Sequence, residues 1–206
     1  MTTLLVMRKK GRCQVTEPPN FRIELLEGRA ALEHVPCFAR AQVEVFGQPP
    51  WNLKWYEGSV DDPKSALGFH TWAANNDSAY LGAYAGDQLA GFAVGLALNE
   101  DVIRTLELDQ FGAAPGDYYF LVACVLPSFR RQGLYWLLIE RRMELARAKK
   151  SPTLWVRTHV DSTTVTRYYR EEHGFDEVAR YTTVDYGFVT VPRVVLRKVV
   201  LAEAPV

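Results

Sequence analysis

The 206-residue chain predicts a mixed α/β (α+β) domain organised on one central sheet. Three features carry that expectation. Residues 118–126 form an unbroken apolar run closed by Pro127, the pattern of a strand buried on both faces. Residues 134–150 place apolar side chains at helical spacing in two adjacent rows, Leu134, Leu138 and Leu145 beside Tyr135, Ile139, Met143 and Ala146. Along the chain, such segments follow the order βα(α)ββ and then β-α-β-α-β-β.

Residues 21–26 alternate and read as the first strand. Residues 27–35 can hold a helical turn, but Pro36 is expected to forbid one continuous helix here, because proline lacks the N–H and crowds the preceding turn. Pro36 is placed instead as the first residue of a new helix ending near Phe46. Within it Phe38, Ala41 and Val45 make one apolar row, and Ala39, Val43 and Phe46 the next. Gly47-Gln48-Pro49-Pro50-Trp51 ends that helix. A short helix is expected within 61–74. Residues 79–84 and 89–98 are two strands joined by a turn at Ala85-Gly86-Asp87-Gln88. Residues 100–114 fit no single pattern. The helix from Leu134 closes on Lys149-Lys150, which suit its negative end, and Pro152 stops it. Residues 154–158 are the next strand. Asp161-Ser162-Thr163-Thr164 offers capping oxygens to a helix running to His173, with Gly174 as the left-handed exit. Strands at 175–184 and 189–200 complete the order.

Bulk properties narrow the function classes. Lys plus Arg (24) balances Asp plus Glu (24), so no global field attracts nucleic acid or an anionic membrane, and neither partner is expected. Any anion site must be local. Cys13, Cys37 and Cys124 are an odd number at wide spacings without a CxxC pair. That pattern predicts neither a disulfide framework nor a metal site, and it suits a reducing cytoplasmic setting. No apolar run approaches the ~20 residues of a membrane-spanning helix. Arg8-Lys9-Lys10 follow the apolar start instead of preceding it, so no export signal is read. Residues 1–20 read as a flexible extension ahead of a single domain over 21–206.

The chemistry points to Val125-Leu126-Pro127-Ser128-Phe129-Arg130-Arg131-Gln132-Gly133-Leu134-Tyr135. A buried strand ends, a turn carries two arginines and a glycine, and a long helix begins. The first N–H groups of a helix lack internal partners, and the macrodipole adds about half a positive charge there. Gly133 lets the backbone approach a ligand closely. The arrangement is an anion cradle, although on these residues alone an ordinary solvated turn fits equally well. It is neither a dinucleotide glycine fingerprint nor a P-loop.

Val-x-Pro-x-x-Arg-x-x-Gly followed by an amphipathic helix resembles the acetyl-CoA signature of the GNAT superfamily, Arg/Gln-x-x-Gly-x-Gly/Ala. Arg130 and Gly133 match, whereas Tyr135 stands where a small residue is usual. Downstream, Tyr168-Tyr169 with Gly174-Phe175 resembles the family's Tyr-x-x-x-Gly-Phe, with at least one residue more. The element order agrees over roughly residues 21–200.

The resemblance implies a GNAT fold, with a mixed, mostly antiparallel central sheet flanked by helices and splayed middle strands at 118–125 and 154–158. It implies acetyl-CoA as co-substrate and acetyl transfer to a primary amine of a small molecule or peptide; a homodimer is left open. Cys124 and Val125 would line the pantetheine arm, with Cys124 a core thiol and not a nucleophile. Arg130, Arg131, Gln132, Gly133, Leu134 and Tyr135 would surround the pyrophosphate. Counting forward from Leu154, Ser162 falls at the family's usual asparagine on the cofactor side, and Val165 and Tyr169 fall at the next expected places. Tyr169 is thereby implied as the acid for the departing thiolate, with the extra residue in 170–173.

The glutamate that some relatives keep on the first splayed strand is absent, since Tyr118-Tyr119 stand there. His159, Glu44 and Glu57 are candidate substitutes; His159 titrates in the useful range, and a surface role fits it equally well. Trp51, Trp55 and Tyr56 form an aromatic cluster that suits either an acceptor wall or a packed loop. His34, His70 and His173 share no metal-ligand spacing. Two other readings stay open: a longer acyl donor, and a non-catalytic acyl-CoA-binding module.

Overall fold

The computed structural model describes residues 21–49, 51–185 and 189–200; the expected N-terminal extension, Cys13 and Pro50 lie outside them. Seven strands, β1 (Arg22–Leu26), β2 (Ser78–Ala85), β3 (Gln88–Ala97), β4 (Tyr118–Val125), β5 (Thr153–His159), β6 (Asp176–Asp185) and β7 (Val189–Val199), form one sheet in the order β1-β2-β3-β4-β5-β7-β6. Every neighbouring pair is antiparallel except β4 and β5, which run parallel. The helices are α1 (Gly28–Phe46), α2 (Ala66–Ala74), α3 (Glu100–Thr105), α4 (Leu134–Ala148) and α5 (Thr163–Glu171).

The period-2 pleat sorts the core into two layers. Tyr80 and Phe92 pack with Ala31, Val35 and Phe38 of α1 and Ala73 of α2. Their strand neighbours Leu81 and Ala93 pack instead with Leu134 and Leu138 of α4. Central strands β2 and β3 are therefore buried almost throughout. Asp117, 3% exposed, anchors the start of β4 to β5: its Oδ2 accepts from the Trp155 indole N–H at 2.8 Å and the Ala114 N–H at 3.0 Å.

Two local expectations are corrected and one open stretch is resolved. Pro36 does not start a helix; α1 passes through it without interruption. The ring lies on the exposed side of α1, as does Leu32, whose carbonyl loses its i+4 donor. Water can satisfy that carbonyl, while Ala31, Val35 and Phe38 hold the other face in the core. Ser162 stands at the N-cap of α5 but makes no capping bond, unlike Ser65 and Asn99, which accept from Gly68 and Val102 N–H groups. The ambiguous stretch at 100–114 divides into α3 and a single 3-10 turn, Asp109–Phe111. Among the described residues Cys37 and Cys124 are free, no cluster could hold a metal ion, and no helix is long and apolar enough to cross a membrane.

Beneath α2, His70 is fully buried among Phe38, Phe69, Phe92 and Tyr80. Tyr80 donates its hydroxyl proton to the His70 carbonyl at 3.0 Å, so the contact from Nδ1 to that hydroxyl, also 3.0 Å, requires Nδ1 to carry the ring proton. Nε2 has no hydrogen-bond partner among the described residues. Burial pushes the imidazole pKa down to about 3. The unfolded chain binds this proton below about pH 6.5 and the folded chain does not, so stability present above pH 6.5 is lost as pH falls toward 3, at about 1.4 kcal/mol per unit. Urea unfolding at pH 7 and pH 5 should show about 2 kcal/mol of loss from this group. His70→Gln should flatten the slope, and an unchanged slope would exclude His70 as its source.

Candidate functional site

The site begins with a break in the sheet. Between β3 and β4 the register steps from Val94↔Val122 to Gly95↔Phe120, so Leu121 opposes no residue of β3. Such a bulge bends its strand and increases the local twist. Pairing with β5 ends at the same place, at Phe120↔Val156. Beyond it β5 stays on β7 as far as His159↔Arg193, while β4 stays on β3. Residues 121–125 therefore face a wedge instead of a strand. Cavities of about 400 Å³ and about 360 Å³ open on its two sides and share Phe46, Trp51, Ala123, Tyr135, Thr158 and Val165.

The first cavity gathers Cys124, Val125, Arg130, Arg131, Gly133, Leu134, Tyr135 and Ser162. Gln132 contributes only backbone to this turn, because its side chain turns outward and donates to the Ser128 carbonyl at 3.3 Å. No side chain caps α4. Its first internal bonds run from the Trp136 and Leu137 N–H groups to the Gly133 carbonyl, which leaves the preceding N–H groups through Tyr135 with no internal acceptor. Arg131 (φ 62°) and Gly133 (φ 82°) are both left-handed, a backbone form that turns successive N–H groups into an anion-binding concavity. A Cβ at Gly133 would meet no protein atom within 4 Å. The space in front of it is open. Arg130 is tied to the strand end by its Nε, which donates to the Val125 carbonyl at 3.2 Å. Burial pushes the Cys124 thiol pKa up, which keeps it protonated and inert.

At the wedge, Tyr169 is fully buried against Phe120 and Phe175 and lines the second cavity. Its hydroxyl accepts from Arg142 Nη2 at 3.0 Å. Arg142 is 1% exposed, its guanidinium lies 4.6 Å from the Phe120 ring centre, and its Nε has no hydrogen-bond partner among the described residues. Among the described residues no carboxylate lies within ion-pair distance of it. Burial pushes the Tyr169 phenol pKa up, with Arg142 pulling the other way, so the phenol keeps its proton through the neutral range. Tyr168 lies elsewhere: it stacks on Trp136 at 4.1 Å and donates to Glu140 at 3.2 Å. Tyr135 stands in the passage between the cavities, near Arg142.

The second cavity opens under α1 and α2. Trp51 and Trp55 line it, whereas Tyr56 is 44% exposed, donates to Asp62 and lines neither cavity. Glu44 and Glu57 are exposed and lie outside both linings. So does His159, which is 7% exposed. Its Nδ1 accepts from the Asp161 N–H at 3.1 Å and its ring meets the Trp51 ring edge-on at 5.3 Å. Burial pushes its pKa down, opposed by Asp161. His159 thus backs the Trp51 wall.

Several lining groups were not foreseen: Gln42, Glu107, Arg142, Arg157 and Arg193. Arg142 did carry a signal, since it sits one turn after Leu138 on the apolar face of α4. Arg157, inside the apolar run of β5, carried another. Glu107 carried none, because residues 100–114 had no readable period.

Residues 48–175 match the model of the acetyltransferase (GNAT) family. Among curated proteins none matches the chain by sequence. Among solved structures, yncA of Salmonella typhimurium with its cofactor acetyl-CoA superposes at TM-score 0.63 and 13% identity, covering 90% of this chain and 97% of that one. The ribosomal-protein-S18-alanine N-acetyltransferase of Escherichia coli gives 0.59 and 16%, covering 89% and 96%. The ribosomal-protein-alanine N-acetyltransferase of Brucella melitensis gives 0.59 and 17%, covering 87% and 99%. At these identities the likeness concerns the fold.

A buried cation without a carboxylate is costly to retain. Tyr169→Phe removes one of its neutral acceptors, with the Tyr135 hydroxyl left beside it, and should destabilise the protein by about 1–3 kcal/mol. Replacing both partners, Arg142→Met with Tyr169→Phe, should restore or exceed parental stability, because no buried charge remains to be satisfied. Urea unfolding of the two variants measures this. A double variant less stable than Tyr169→Phe alone would show that the guanidinium serves stability.

Proposed function

The chain belongs to the acetyltransferase (GNAT) family, and from that premise we propose that it transfers the acetyl group of acetyl-CoA to a primary amine. One observation carries the reading. The parting of β4 from β5 joins two cavities, and the uncapped N-terminus of α4 lies at the mouth of one of them. In this reading the pyrophosphate takes the N–H groups before Trp136, with Arg130 and Arg131 at the rim, and Ser162 lies across the cavity. Helix dipole and oriented amides favour that anion together. The pantetheine arm extends along residues 121–125, whose backbone has no β5 partner.

The thioester then reaches the passage where the cavities meet. A neutral amine from the α1 and α2 side attacks its carbonyl carbon. The carbonyl oxygen gains charge as the C–N bond forms, and unpaired β4 N–H groups offer it hydrogen bonds. When the C–S bond breaks, the thiolate takes the proton of the Tyr169 hydroxyl, which is regained from solvent. Arg142, bonded to that hydroxyl, stabilises the transient phenolate. The surplus proton on nitrogen leaves toward Glu107, the carboxylate in the cavity lining among the described residues.

Gly133→Val should abolish acetyl-CoA binding, because a branched side chain in the open space before α4 blocks the close approach. Calorimetric titration checks this, with thermal melting to show that the variant folds; an unchanged Kd would sink the cradle. Tyr169→Phe should lower kcat about ten- to a thousandfold, the usual range for one lost proton donor, with little change in acetyl-CoA Kd. Tyr168→Phe should do much less. Acetyl-CoA binding without thiol release from any amine would favour the non-catalytic module.

A further inference from the structure

The acceptor side of the wedge carries more positive charge than transfer to a simple amine requires. Arg157 is the first residue of β5 beyond the last β4 pair, Phe120↔Val156, so it stands at the apex of the splay. Its Nε donates to the Tyr119 hydroxyl at 2.8 Å, and its Nη1 donates to the Leu106 carbonyl at 2.8 Å and the Tyr181 hydroxyl at 2.9 Å. All three acceptors are neutral. They fix the guanidinium without cancelling its charge, and Nη2 has no protein acceptor among the described residues. Arg193 lies on the same face: Arg157 pairs with Val195 and His159 with Arg193, so the two arginines are diagonal neighbours. The Arg193 guanidinium lies 4.9 Å from the Trp51 ring centre. Burial pushes its pKa down to about 10, and the like charge of Arg157 adds to that. It stays protonated at neutral pH, so the two cations repel each other in a half-buried cavity.

Glu107 is also in this lining, but it is exposed. Gln42 presents the opposite polarity: it is 2% exposed, and its Oε1 has no hydrogen-bond partner among the described residues. The same cavity therefore pairs fixed cations with a buried acceptor for an N–H, between walls of Trp51, Trp55 and Phe69.

We propose, resting on the transfer reading above, that the acceptor is an amino-acid-like amine whose carboxylate is held by Arg157 and Arg193 while its side chain packs on the tryptophans. A carboxylate there accepts charge-assisted hydrogen bonds, relieves the repulsion between the arginines and leaves the adjacent amine directed at the thioester.

Thiol release under saturating acetyl-CoA should be followed for phenylalanine, phenylalaninamide, phenethylamine and O-phosphoethanolamine. Phenylalanine should exceed both analogues that lack the carboxylate in kcat/KM by about ten- to a hundredfold, the range of one or two charge-assisted bonds. Intrinsic reactivity runs the other way, because the amine of the amide loses its proton more readily. Equal or better turnover of the amide or phenethylamine overturns the inference and leaves the transfer reading intact. Preference for O-phosphoethanolamine alone overturns the carboxylate in favour of a phosphate. No release from any of the four, or from a wider panel of amines, removes the transfer reading and this inference together. Arg157→Gln should bring the phenylalanine-to-amide ratio close to one. If that variant fails to fold, the ratios of the unaltered protein still decide.

Discussion

The parallel pairing of β4 with β5 is the constraint on which the rest of the molecule depends. Three residue pairs hold it, Tyr118↔Leu154 to Phe120↔Val156, and Asp117 reinforces that end through the Trp155 indole. Past the bulge at Leu121 the strands keep their outer partners and lose each other. Backbone N–H and C=O groups bared inside a protein must find partners. Here the wedge leaves them to whatever enters from the cavities. The same parting sets the α4 N-terminus at one mouth and Arg157 at the other. The proposed cofactor cradle and acceptor pocket are thus consequences of one interrupted ladder.

Arg142 shows where stability has been conceded. Its position on α4, in line with Leu138, would suit an apolar side chain. An arginine there bears a desolvation penalty with neutral partners in return, the Tyr169 and Tyr135 hydroxyls and the Phe120 face. Such a group is out of keeping with a core selected for packing alone, and in keeping with one that must stabilise charge at the Tyr169 oxygen. Strain at Arg131, a non-glycine residue at φ 62°, has the same character. It sits in the turn where backbone N–H groups are aimed outward, and such strain clusters where a ligand needs the geometry.

What could be read from the sequence was what local pattern encodes. The apolar run of β4, the two rows of α4 and the turn between them follow from local pattern, so the fold class and the strand–turn–helix that the proposed cradle uses were legible. The helical count that separates Tyr169 from Tyr168 agrees with their placement, one lining the cavity and the other stacked on Trp136. What escaped was decided across the fold. Whether α1 could pass through Pro36 depended on which side of the helix met solvent. The silent cap at Ser162 could not be told from a working one by residue type. Arg157 gains its meaning from Tyr119 and Tyr181, 38 and 24 residues away, and Leu121 from a one-residue slip against β3.

Tyr135 is the point at which this chain departs from the small residue that the signature prefers, and its position bears on the acyl group. The helix turns its backbone toward the cradle while the ring enters the passage between the two cavities. Burial pushes its phenol pKa up, with Arg142 opposing, so a neutral hydroxyl stands there beside the buried guanidinium. An acyl chain longer than acetyl would have to share that passage with the ring. Displacing a packed aromatic ring costs more than the roughly 0.8 kcal/mol that each further buried CH₂ would return. Within the transfer reading, this departure from the signature therefore favours a short acyl donor.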